Sequence, residues 1–231
     1  MIEFNFISLE NIRESLSNFL MNHYTKDYEE LKYYVHLPIS QGLFDELKKR
    51  SLTTEELKQL ISKNPQVMDK SVLEMIQKVW EDKESEILDG IKKLSNMSFG
   101  IEKIKCEINP YDNGGYYGED HIVVGIYKNE QAILQVIAHE LIHILYWRKI
   151  KELRLIESVL GQEKPWEWAL SELIVYLIQK DKNLSRFWPD EEVKLYPESE
   201  KIFKIVGQFW KNKNFEEFLT KSYNLLRKEN A

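Results

Sequence analysis

Ile133-Leu134-Gln135-Val136-Ile137-Ala138-His139-Glu140-Leu141-Ile142-His143-Ile144-Leu145-Tyr146-Trp147 is the stretch on which the reading of this chain turns. No Gly or Pro interrupts residues 130–149. Asn129 suits an N-cap, and Arg148, Lys149 and Lys151 suit the negative end of a helix dipole. One apolar stripe runs through Ile133, Ile137, Leu141 and Ile144, and another through Ala132, Val136 and Tyr146. A helix apolar on nearly all sides is buried on nearly all sides. Within it lies the pentapeptide H-E-x-x-H. His139 and His143, four apart, share one helical face and can reach one cation. Glu140, offset by roughly 100°, can address a water at that cation without binding it. Two buried imidazoles and a carboxylate without partners would cost about 1–3 kcal/mol each, and a bound cation removes that cost.

A zinc ion in a hydrolase takes three protein ligands and leaves one position open. A third histidine six residues on would fall at Lys149, and no histidine follows His143. The only cysteine, Cys106, sits in the alternating segment Ile104–Ile108 and reads as a small buried filler. A downstream carboxylate remains. Pro165 opens a helix that runs through Trp166, Trp168, Ala169, Leu170, Leu173, Ile174, Val175 and Tyr176, with Glu172 in its middle. A carboxylate amid such residues needs a partner, because an unpaired buried charge costs several kcal/mol. Glu167 competes, but in the first turn it can simply satisfy free N–H groups. Glu172 is therefore the expected third ligand. Glu152, Glu157 and Glu163 fall in the polar connection between the helices and read as solvated.

The His139-Glu140-x-x-His143 helix followed by Glu172 on a second helix resembles the gluzincin, thermolysin-like branch of zinc metallopeptidases, over roughly residues 100–180. The resemblance implies a zincin-like fold, one zinc ion held by His139, His143 and Glu172, and Glu140 as general base in peptide-bond hydrolysis. It also implies that the strand before the zinc helix, residues 121–127, pairs with an extended substrate. One position departs from the family pattern. Four residues beyond the ligand glutamate, where an aspartate orients a zinc imidazole, stands Tyr176. No downstream histidine exists to stabilise an oxyanion, which leaves Tyr176, Tyr196 and Tyr223 as candidates. A zincin-like zinc-binding module without turnover is the alternative function, and an aminopeptidase using Glu119 or Asp120 to hold a free amine is a further variant.

The composition fits one soluble domain, or a helical N-terminal region (1–98) packed on a catalytic region (99–231). A net charge of −6 disfavours nucleic acid as a partner. The single cysteine, the absence of an 18-residue apolar run and a start, Met1–Phe6, without the basic and apolar regions of a signal peptide point to a cytoplasmic protein without a membrane span, acting on peptide or protein substrates. Residues 1–100 read as helices: Ser8–Met21, Gln41–Arg50, a capping-box helix from Thr53 to near Lys63, and one long amphipathic helix from Ser71 to Leu94. Ile101–Ile108 and Ile122–Tyr127 form a small sheet, with the glycine-rich segment Asn109–Asp120 between them as a hairpin connection or a rim of the cleft. His121, opening the second strand, reads as a surface residue. Two helices, near Glu198–Trp210 and Phe215–Lys228, close the chain. The fold class expected is α+β, mostly helical.

Overall fold

The computed structural model describes residues 2–21, 39–63, 65–97, 99, 103–109, 115–116, 118, 120–126, 129–155, 164–212 and 214–229. The elements are β1 (Ile2–Phe6), α1 (Leu9–Met21), α2 (Gln41–Leu47), α3 (Thr54–Ser62), α4 (Lys70–Glu81), α5 (Glu84–Ser95), β2 (Ile104–Asn109), β3 (Gly115–Tyr116), β4 (His121–Gly125), α6 (Glu130–Glu152), α7 (Pro165–Gln179), α8 (Lys182–Ser185), α9 (Pro197–Val206) and α10 (Phe215–Glu229). Short 3₁₀ turns cover Pro65–Met68 and Gly207–Asn212. The fold is α+β and mostly helical.

The sheet order is β1-β2-β4-β3. β1, β2 and β4 run parallel, and β3 is antiparallel to β4, which makes β3–β4 a hairpin. Parallel strands are normally covered on both faces, and this sheet is. Ile104, Cys106, Ile108, Ile122 and Val124 point into the main core with Ile76, Trp80, Ile87, Ile91 and the apolar residues of α6 and α7. Val123 points the other way, into a second cluster with Ile12, Leu16, Phe44, Leu47, Leu57 and Leu60 from α1, α2 and α3.

Three local expectations change. Ile2–Phe6 is a strand, not part of an all-helical region, and it pairs with β2 from Ile2↔Ile104 to Phe6↔Ile108. Residues 1–98 and 99–231 thus share one sheet. The expected helix over Ser71–Leu94 is two helices broken at Asp82–Lys83. Six consecutive polar residues, Glu81 to Glu86, leave no apolar side chain to hold the middle turn. The Trp80 indole N–H donates to Glu84 across the break. The last of the three is the 121–127 strand, which lies inside the sheet with β2 on one side and β3 on the other. Both sides of β4 are occupied at Ile122 and Val123, so an added strand finds its edge at β3. The other elements fall within a few residues of expectation, and the Thr53–Glu56 capping box forms.

Candidate metal centre

Asn129 caps α6 by accepting from Gln131 N at 2.9 Å, and its amide donates to Glu191 Oε1 at 2.7 Å. Gln131 exchanges two further bonds with Asp190. These contacts fix where the site helix starts. At the other end the chain leaves the helix through Arg154 in a left-handed conformation (φ 53°), and Leu155 N donates to Ile150 O at 3.0 Å. Between these ends α6 is buried nearly all round, as its sequence requires.

α7 returns antiparallel beside α6, held by two side-chain ties. The Tyr146 hydroxyl donates to Glu167 O at 3.3 Å, and Gln179 Nε2 donates to Gln135 O at 2.7 Å. Between those ties, residue 172 falls opposite residues 141–142, midway between the two histidines. Each tie gives a buried side-chain donor, the Tyr146 hydroxyl or the Gln179 amide, an acceptor inside an apolar interface, where a missing partner costs about 1–3 kcal/mol. The sequence reading missed both. Gln179, an amide directly after the run Leu173–Ile178, was the available signal, and it is 2% exposed.

The structure brings His139, His143 and Glu172 together, with one ligand atom of each within 4.8 Å of the others. His143 Nε2 lies 3.0 Å from His139 Nε2 and 3.3 Å from Glu172 Oε1, and His139 Nε2 lies 3.5 Å from Glu172 Oε2. Nitrogen and oxygen ligands about 2.0–2.1 Å from a tetrahedral zinc ion stand about 3.3–3.4 Å apart. The separations, two of them to different oxygens of the one carboxylate, lie near that value, and the group is positioned to hold a metal ion. The His143 and Glu172 side chains are 8% and 9% exposed, whereas His139 is 26% exposed and forms the open side.

Burial, then the neighbouring His143, push the His139 pKa down to about 4 despite the attraction of Glu172. Burial also opposes charge on His143. There the hydrogen bond and charge of Glu172, with Glu140 nearby, outweigh it and lift the pKa above the ordinary value. For Glu172 burial favours the neutral acid, but the two imidazoles overcome it and hold the carboxyl below its usual range. The cluster thus combines a carboxylate that favours ionisation, one imidazole that favours the neutral form and one whose affinity for a proton is raised.

Glu140 is 5% exposed and stands outside the ligand group. Its charge acts on His143 and on the buried Cys106 thiol, whose pKa is pushed up by burial first and by Glu140 next. Cys106 is core beneath the site and is not a member of the ligand group. Glu167 is also buried but is used structurally: its carboxylate accepts from Lys164 N at 2.7 Å and from the Tyr223 hydroxyl. Tyr223 is committed by that bond. Tyr196 packs at a tilt against Trp168, and Tyr176 packs half-buried against the core, four residues past Glu172 on the same helical face. The Nδ1 atom of His143 is buried with no hydrogen-bond partner, in keeping with the missing aspartate at 176. Glu152 is solvated as expected, beside Lys149. His121 lies on the second sheet face, 3.2 Å from Glu107. Asp120 is exposed. Glu119, Glu157 and Glu163 lie outside the described residues, as does most of the glycine-rich segment. Trp166 and Trp188 are core, and Trp168 is exposed. Among the described residues no helix is long and apolar enough to cross a membrane. No protein-family model matches the sequence, no curated protein matches it, and no solved structure matches its fold.

Proposed function

We propose that this chain is a zinc-dependent metallopeptidase of gluzincin-like plan. The observation that carries the reading is the convergence of His139, His143 and Glu172. Two imidazoles and one carboxylate are a donor set of catalytic zinc sites, in which a fourth position stays open. A zinc ion held there supplies a Lewis acid that acidifies a water and polarises a carbonyl.

The remaining work falls to the chain's own residues. The Glu140 carboxylate accepts the proton of the attacking water and passes it to the leaving amine. Its burial, and its electrostatic contact with His143, support that role. His143 and Glu172 are shielded from bulk water, so the substrate approaches along the open flank of His139. β3 and β4 both pack on α6. Among the described residues β3 pairs only with β4, so an extended substrate would add at the outer edge of Gly115–Tyr116. We assign donation to an oxyanion to Tyr176, because it follows Glu172 by one helical turn and Tyr223 is bonded to Glu167.

Metal analysis of the purified protein, followed by incubation with a mixed peptide pool with and without chelator, tests the reading. The expected result is one zinc per chain and new peptide termini that vanish with chelator. Glu140→Gln should retain the zinc and lose the cleavage. Zinc without cleavage in either protein would instead favour a binding module, and iron in place of zinc would point to oxygen chemistry, for which two histidines and a carboxylate also serve.

A further inference from the structure

Beyond His143 the site helix forms the floor of a second concavity, a groove of about 720 Å³ between the end of α5, α6 and the start of α10. That volume is in the range of small-molecule sites. Its floor is Lys149, whose side chain is only 9% exposed. Buried lysines are rare unless paired. Lys149 Nζ has three donors, yet among the described residues it makes one hydrogen bond, to Glu152 Oε1 at 2.9 Å, and one longer contact, to Glu216 Oε2 at 3.5 Å. Both carboxylates are 61% exposed, so neither is held in place by burial. Lys93 and Lys221 stand on the rim with Glu216 and Glu217. Lys221 is bonded to Glu217 at 2.6 Å, and Lys93 makes no ion pair among the described residues.

The groove sets an ammonium with hydrogen-bonding capacity to spare beside exposed carboxylates, Glu216 3.5 Å from it and Glu217 on the rim with Lys221. A simple anion would meet Glu216 and Glu217 on the way in. A molecule carrying a carboxylate at one end and an ammonium at the other would complement both. We infer that this groove binds a small zwitterion, an amino acid or short peptide, with its carboxylate on Lys149 and Lys93 and its ammonium toward Glu216 and Glu217. The inference does not depend on the metal centre or on peptide hydrolysis.

Triglycine is a suitable probe, with its C-terminal amide and its N-acetyl form as charge-deleted controls. Amide shifts in ¹⁵N-labelled, zinc-loaded full-length protein would be followed through a millimolar titration. Shifts are expected at residues 93–96, 149 and 214–221, with the affinity falling at least about tenfold when the carboxylate is amidated, since hydrogen bonds to charged groups contribute that much. Lys93→Gln, an exposed rim change, should weaken binding several-fold without altering the fold, and Lys149→Met should abolish it. Shifts confined to residues 139–143 and 172 would mean that peptide binds at the metal centre instead, and would overturn the groove. So would an absence of shifts, or equal binding of the amide.

Discussion

In the proposed site protons and a metal ion would compete for the same imidazole nitrogens, and the environments of His139 and His143 set how steeply. Lowering pH is the perturbation. Glu172, held below the usual carboxylate range, stays ionised through the useful window. His139, pushed down to about 4, stays neutral through most of it. His143 is raised above its ordinary 6.5, so it takes up a proton first, and each ion bound must displace that proton. The logarithm of the apparent Kd should therefore rise by one per pH unit below the His143 pKa, about 1.4 kcal/mol each. The slope should reach two only near and below about pH 4, where His139 also protonates. Relative to mildly alkaline buffer, zinc affinity near pH 5 should be weaker by at least about thirtyfold. Competition against a chromophoric chelator across that range measures the slope, and calorimetry in buffers of different ionisation enthalpy counts the protons released. A slope of two already near pH 6, or a flat profile, would refute the assignment of one neutral and one proton-holding imidazole.

Stripping zinc should lower thermal stability. At a free ion concentration a hundredfold above Kd the difference is about 2.7 kcal/mol, visible as a concentration-dependent Tm, and an unchanged Tm on chelation would argue against a folded-state metal site. Glu167→Ala and Glu172→Ala should separate the two buried acids of α7. The first removes a cap and the acceptor of Tyr223, and should cost on the order of 1–3 kcal/mol in denaturant titrations while keeping one zinc per chain; the second should lose the zinc. Arg154→Gly should stabilise the protein by up to about 1 kcal/mol in the same titration, because the left-handed exit of α6 strains any residue with a Cβ.

The site was more legible than the frame around it. His139, His143 and Glu172 announced themselves because polar groups inside apolar helical runs demand partners, and that argument needs only local sequence. It also separated Glu172 from Glu167, whose place in the first turn gave it a backbone partner at Lys164. β1 was missed because its partner lies far along the chain. Ile2, Phe4 and Phe6 alternate with Glu3 and Asn5, but five residues of period two say nothing about which strand they will meet. The break at Asp82–Lys83 was hidden because the apolar marks on either side keep helical phase through it. The interior position of β4 depends on the two-residue β3, too short to carry a pattern. Lys149 was read as a cation complementing a helix end; its burial follows from how α5 and α10 close over that turn.

The parallel ladder from Ile2↔Ile104 to Phe6↔Ile108 bears on how the molecule can be handled. Trimming the chain to residues 99–231, the span that holds every proposed ligand, would strip an outer ribbon from the sheet. It would bare the hydrogen-bonding edge of β2 from Ile104 to Ile108, a row of unpaired N–H and C=O groups of the kind that recruits other chains. Such a fragment should precipitate or pair with itself even though it keeps every proposed ligand, so the smallest workable unit includes β1.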